Sequence, residues 1–143
     1  MKKYKIGYTQ GVFDLFHIGH LNILKKAKKQ CDYLIVGINS DKLVKNYKNK
    51  TPVINDTDRK KIVESIKYVD KCIIVNTLDK EKIYTKLKFN AIFIGSDWKG
   101  NARWCETKKQ MRKNGVEVVF LKHTDGISTT NIRKRIAIND KHN

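Results

Sequence analysis

Two histidines three residues apart, His17 and His20, enclose Ile18 and Gly19 on the turn where a short apolar strand hands over to an amphipathic helix. At a helix N-terminus the free N–H groups and the dipole already favour an anion. Gly19 leaves room for a close approach of backbone to phosphate, and two imidazoles can donate to phosphate oxygens as charge builds. A second such place lies near the other end of the chain. There His123-Thr124-Asp125-Gly126-Ile127-Ser128-Thr129-Thr130 sets a glycine and three hydroxyl residues at a helix start, another donor-rich cradle. Plain structural roles account for each segment alone: His17 and His20 as helix-start polar residues, Ser128 or Thr129 as an N-cap. A zinc pair fits less well, because no nearby Cys or acidic partner completes a metal-ligand pattern. Two cradles on neighbouring loops suit a triphosphate far better than either alone.

The elements that must position these loops alternate along the chain. Tyr4 to Thr9 reads as a first strand, and Leu21 to Gln30 as an amphipathic helix with Leu21, Leu24 and Ala27 on one face. Tyr33 to Asn39 is a continuous apolar run, as in a strand buried on both faces. A basic loop is expected from Lys42 to Lys50, stopped by the one proline, Pro52. Asp56 or Thr57 caps a helix to about Tyr68, with Ile62, Val63 and Ile66 inward. Cys72 to Val75, Ala91 to Ile94 and Val116 to Leu121 complete five strands, and helices over Asp79 to Leu87 and Asn101 to Lys113 separate them. The second of these helices stops at Asn114-Gly115, and a last helix opens at Thr129. Such alternation implies parallel pairing and right-handed crossovers, hence a Rossmann-like, doubly wound, five-stranded parallel α/β sheet forming a single domain over residues 1–143. Ligands then bind where loops leave the carboxyl ends of the strands.

Composition sets outer bounds. With 143 residues and 40% hydrophobic content, the chain suits one core flanked by helices rather than a disordered tail. No apolar run approaches the roughly 20 residues needed to span a bilayer, so a cytoplasmic protein without stable membrane insertion is expected. Cys31, Cys72 and Cys105 are far apart and read as reduced thiols. The 31 basic against 14 acidic residues give a net charge of +17. That balance points to polyanionic partners, but lysines spread along the whole chain carry no specific message.

Gly11-Val12-Phe13-Asp14 followed by His17-Ile18-Gly19-His20, with Gly126-Ile127-Ser128-Thr129-Thr130 near the end, resembles the cytidylyltransferase family. The likeness is strongest to its bacterial glycerol-3-phosphate branch and covers nearly the whole chain, including Arg59-Lys60, Tyr68-Val69-Asp70 and Gly95-Ser96-Asp97-Trp98. The His-x-Gly-His element is shared by a wide superfamily; its pairing with the Ile-Ser-Thr-Thr segment at this length is far more specific. The resemblance implies that His17 and His20 stabilise the transition state at the α-phosphorus, with Ile18 and Gly19 alongside them. It implies that Val12 and Phe13 touch the nucleotide, as do Lys50 and the stretch His123, Thr124, Asp125, Gly126, Ile127, Ser128, Thr129 and Thr130. Lys48 and Lys80 align with acceptor-binding lysines, and Asp14 is a candidate to orient the acceptor or the His17 loop. CTP, a small phosphorylated alcohol and Mg²⁺ bound mainly through the nucleotide phosphates are the implied ligands, and a homodimer the implied assembly. One departure stands out: His123 occupies the usual place of an arginine, and a histidine is mostly neutral at pH 7. Lys122 is a candidate to support it.

The residue inventory agrees with this chemistry. A phosphomonoester is largely dianionic at pH 7, so its oxygen can attack without a general base. Positioning and positive charge are what remain for the protein to supply. Competing readings are weaker. His-Ile-Gly-His also matches a signature of class I aminoacyl-tRNA synthetases, but the chain has no room for an anticodon-binding region and lacks a Lys-Met-Ser-Lys-Ser element. Val12 looks more like phosphocholine or phosphoethanolamine enzymes, and an ATP-using adenylyltransferase belongs to the same superfamily. A basic nucleic-acid-binding domain lacks the aromatics that should interleave its basic stretches, so no nucleic-acid partner is expected. Arg59, in a first helical turn where the dipole disfavours a cation, invites a paired or phosphate-binding role. Trp98 is a candidate either for the nucleotide pocket or for packing.

Overall fold

The computed structural model describes residues 2–96, 99–122 and 127–142. Five strands, β1 (Tyr4–Gly11), β2 (Cys31–Asn39), β3 (Lys71–Val75), β4 (Ala91–Gly95) and β5 (Glu117–Leu121), form one sheet in the order β3-β2-β1-β4-β5. Every pairing is parallel, Gly7 standing opposite both Leu34 and Ala91. The order reverses at β1, which carries strands reached by opposite walks on its two sides. That switch point is where an open α/β sheet leaves a crevice at its carboxyl edge.

Right-handed crossovers send the helices to opposite faces. On one face α1 (Ile18–Gln30) and α3 (Asp56–Glu64) bury Leu24, Ala27 and Val63 against Leu34, Val36 and Phe93. On the other, α4 (Lys80–Leu87) and α5 (Ala102–Lys113) bury Ile83, Trp104 and Met111 against Tyr8, Ile35 and Ile92. α2 (Asp41–Lys48) follows β2, and α6 (Thr129–His142) follows β5. The alternation expected from the sequence is therefore present strand for strand.

Three local expectations are corrected. Lys42 to Lys48 is not a loop but most of α2, capped by the Ser40 side chain at Leu43 N–H and closed by Asn49 in the left-handed region. Leu43 and Val44 are its buried face, and burying that face outweighs the helix's three lysines and its polar average. The third helix ends at Glu64 rather than near Tyr68, and Ile62 faces out at 40% exposure while Val63 is fully buried. The first helix starts at Ile18, three residues early, because a histidine caps it.

Candidate functional site

That cap explains the histidine spacing. His17 precedes α1 in extended backbone and its Nδ1 accepts from Gly19 N–H at 3.0 Å, while His17 N–H donates to His20 Nδ1 at 3.2 Å. Two orphan amides at the helix start are thus satisfied reciprocally, the work usually given to Ser or Thr with Glu. With both Nδ1 atoms accepting, each neutral ring carries its proton on Nε2. Helix capping and ligand chemistry are therefore not rivals here: the cap uses one nitrogen and leaves the other as a donor. The rings stack with centroids 3.9 Å apart, and His20 is wedged against Phe13 and Phe16 at 5.2 and 5.3 Å. Burial, then the neighbouring His17, pushes His20 down to about 4, and burial lowers His17 as well. Both are neutral donors at pH 7.

Gly19 has a different reason from the one expected. A Cβ there would lie 2.8 Å from Cε1 of His17 and 2.9 Å from its Nδ1, so the imidazole itself occupies the space that a bare Cα leaves. The same Cβ would sit 3.5 Å from Ile127, where the second loop meets the first. Ser128 acts as a cap, its Oγ accepting from Asn131 N–H at 2.9 Å, and Thr129 Oγ1 donates to the Asp14 carbonyl at 2.8 Å.

Asp14 sits between Phe13 and Leu15, both at positive φ (54° and 50°), a costly pair of backbone states for non-glycine residues. Its carboxylate holds them. Although burial raises its pKa, hydrogen bonds from Ile54 and Val53 N–H (2.9 and 2.7 Å) and the Arg133 guanidinium (2.5 Å) lower it overall. Arg59, fully buried, closes the same wall. Its guanidinium donates to the carbonyls of Ile54, Val12 and Asn39 at 2.7–2.8 Å and to Asp41 at 2.6 Å. It therefore ties the ends of β1 and β2 to α2 and α3, and it does not line the cavity that they frame.

These contacts frame a cavity of about 370 Å³ at the β1–β4 edge, within the range of small-ligand sites. Of the residues singled out by sequence, Val12, Phe13, Asp14, His20, Lys48, Lys50, Lys80, Thr129 and Thr130 line it. His17, Ile18, Gly19, Ile127 and Ser128 do not line it; the His17 ring stacks on that of His20, which does, and Ile18 is 52% exposed. His123, Thr124, Asp125, Gly126, Asp97 and Trp98 lie outside the described residues. Sequence reasoning missed Tyr47, Arg103, Trp104 and Arg133, which also line the cavity. Arg133 stands one helical turn beyond Thr129, so the i,i+4 spacing was its available signal. Lys80 is 5% exposed, its Nζ 5.2 Å over the Trp104 ring and donating to the Leu78 carbonyl at 3.0 Å. Burial first, and the Arg103 charge second, pulls Lys80 down to about 8. Burial, then the charges of Lys50 and Arg133, lowers Lys48 too.

A cavity at the switch point, lined by cations and by the neutral His20 imidazole with His17 stacked on it, is suited to a polyphosphate. Comparison with known proteins decides which kind. Residues 8–135 match the family model described as cytidylyltransferase-like. The chain belongs to that family. A glycerol-3-phosphate cytidylyltransferase of Bacillus spizizenii is 40% identical over 90% of this chain and 95% of its own length. One from Staphylococcus aureus is 35% identical over 90% and 92%. Among solved structures, the lipopolysaccharide core biosynthesis protein of Thermoplasma volcanium superposes with a TM-score of 0.75 at 29% identity, covering 85% of this chain and 99% of that one. This cytidylyltransferase-like chain is thus a nucleotidyltransferase on a Rossmann-like sheet, as its His-x-Gly-His and Ile-Ser-Thr-Thr segments led us to expect.

Proposed function

We propose that the protein transfers CMP from CTP to glycerol 3-phosphate, forming CDP-glycerol and pyrophosphate. The observation that carries this reading is the convergence of His20, Lys48, Lys50 and the Thr129-Thr130 helix start on one cavity at the sheet's switch point. The relatives named for this reaction, matched end to end, support the choice of substrates.

In this mechanism a dianionic oxygen of the acceptor phosphate attacks the α-phosphorus of CTP. A new P–O bond forms there as the bond to the β-phosphate breaks, and its electron pair leaves on pyrophosphate. No proton need be removed from the nucleophile. The Nε2–H groups of His17 and His20 stabilise the charge that builds on the α-phosphate and the leaving group. Lys50 and the start of α6 hold the later phosphates, as His123, Thr124, Asp125, Gly126 and Ile127 would beside them. Val12 and Phe13 border the nucleoside; Lys48 and Lys80 hold the acceptor, and Asp14 keeps their wall in place. Mg²⁺ would enter on the nucleotide phosphates and neutralise part of their charge. The carboxylate lining the cavity, Asp14, has both oxygens engaged and is no free ligand for it.

The assembly we propose is a homodimer in the cytoplasm. No helix among the described residues is long and apolar enough to cross a membrane. β3 is an edge strand with Ile74 36% exposed, which supports a self-association surface that light scattering would test. The activity test is pyrophosphate release from CTP or ATP with glycerol 3-phosphate, phosphocholine or phosphoethanolamine. Release fastest with CTP and glycerol 3-phosphate is the expected result; a clear preference for ATP or for either amine acceptor would overturn it.

A further inference from the structure

The cavity spans both faces of the sheet, and its two ends differ in character. His20 and α1 approach from one face, whereas Lys80 and Arg103 come from the first turns of α4 and α5 on the other. Arg103 is exposed toward solvent and lines the cavity, and its guanidinium makes no hydrogen bond or ion pair among the described residues. Its position serves the helix poorly: the N-terminal dipole repels a cation, and the first turn of α5 holds no acidic residue to offset it. It stands near enough to Lys80 and to Tyr47 for its charge to act on both. The carboxylate in the cavity, Asp14, is saturated by three amides and Arg133. The charge of Asp79 acts on Lys80 as well, but among the described residues no carboxylate forms a hydrogen bond or ion pair with the side chain of Lys80 or Arg103.

Resting on the reading above, in which Lys80 belongs to the acceptor end, we propose that Arg103 is a specificity-determining residue that selects a phosphomonoester with a neutral polyhydroxy head group and excludes one whose head group bears an ammonium. Hydroxyl oxygens accept from a guanidinium and an ammonium, whereas a cationic head group meets like charge and finds no free carboxylate among the described residues that line the cavity. The exclusion is thus a repulsive element built into the site rather than a missing contact.

The test compares parent, R103M and R103E for kcat/KM with glycerol 3-phosphate, phosphocholine and phosphoethanolamine, with circular dichroism to establish folding. The expected parent preference for glycerol 3-phosphate is about 100-fold or more, narrowing by about tenfold in R103E through a gain with the amines, while the KM for CTP stays within about twofold. R103M loses glycerol 3-phosphate activity and gains less with the amines. Preference unchanged in both folded variants, or a KM for CTP rising in step with that for the acceptor, sinks the assignment of Arg103 alone. A parent that releases no pyrophosphate with CTP and any of the three phosphomonoesters sinks the underlying function, and the inference with it.

Discussion

His17 N–H donates to Nδ1 of His20 at 3.2 Å, so the two imidazoles are fastened to each other and to the start of α1 by the chain itself. Their orientation is set by helix capping, and the donors they offer are those the cap does not need.

His17→Ala and His20→Ala each remove an Nε2–H donor, and by the scale of lost charge-stabilising donors each lowers turnover about 100-fold or more. Each also loses a cap, at a cost on the order of 1 kcal/mol. Steady-state rates at saturating CTP, with thermal melts in parallel, separate the two effects. Parent-like turnover in either variant contradicts the proposed mechanism.

Gly19→Ala probes the same stack without deleting a donor. A methyl 2.8 Å from Cε1 of His17 forces that ring aside. Because small displacements of positioned groups cost up to about 100-fold, turnover should fall at least about tenfold while the melting temperature moves little. Turnover matching the parent means the His17 ring need not stand over the helix start.

Lys80 makes the acceptor step sensitive to alkali. Burial foremost, then Arg103, brings it to about 8, so the free enzyme loses this cation as pH rises through that value. The acceptor phosphate is already dianionic there, its second ionisation being near pH 6. Consequently kcat/KM for the acceptor falls above pH 8, and K80R, which stays charged, flattens that limb. An alkaline limb unchanged in K80R assigns the titration elsewhere.

Arg59→Met leaves the carbonyls of Val12, Asn39 and Ile54 and the Asp41 carboxylate without their donor inside a closed wall. The expected loss is on the order of 3 kcal/mol, read by urea unfolding. A midpoint within error of the parent would remove Arg59 from the wall it closes.

Sequence alone carried the sheet because its strands are short apolar runs bounded by helices of the right period, and Tyr33 to Asn39 announces its burial on both faces. It missed α2, where three lysines obscured Leu43 and Val44 although Ser40 and Asn49 supply a cap at each end. It placed Arg59 correctly in a first turn where a cation is out of place, but the answer is structural: every bond it makes is to the protein. Lys48, Lys50 and Lys80 came from resemblance, since nothing local distinguishes them from the other lysines. Arg103 escaped because what marks it is a cavity assembled from distant segments, which spacing along the chain does not encode, whereas Arg133 could have been found from its i,i+4 spacing to Thr129.

Trp104 forms part of the cavity wall beneath Lys80, and the sequence contains two tryptophans in all. Replacing Trp98 by Phe would leave a chain whose sole indole emission originates beside the acceptor lysine. Loading of that end then becomes visible as a change in intrinsic fluorescence, without label or coupled assay, and before any turnover begins.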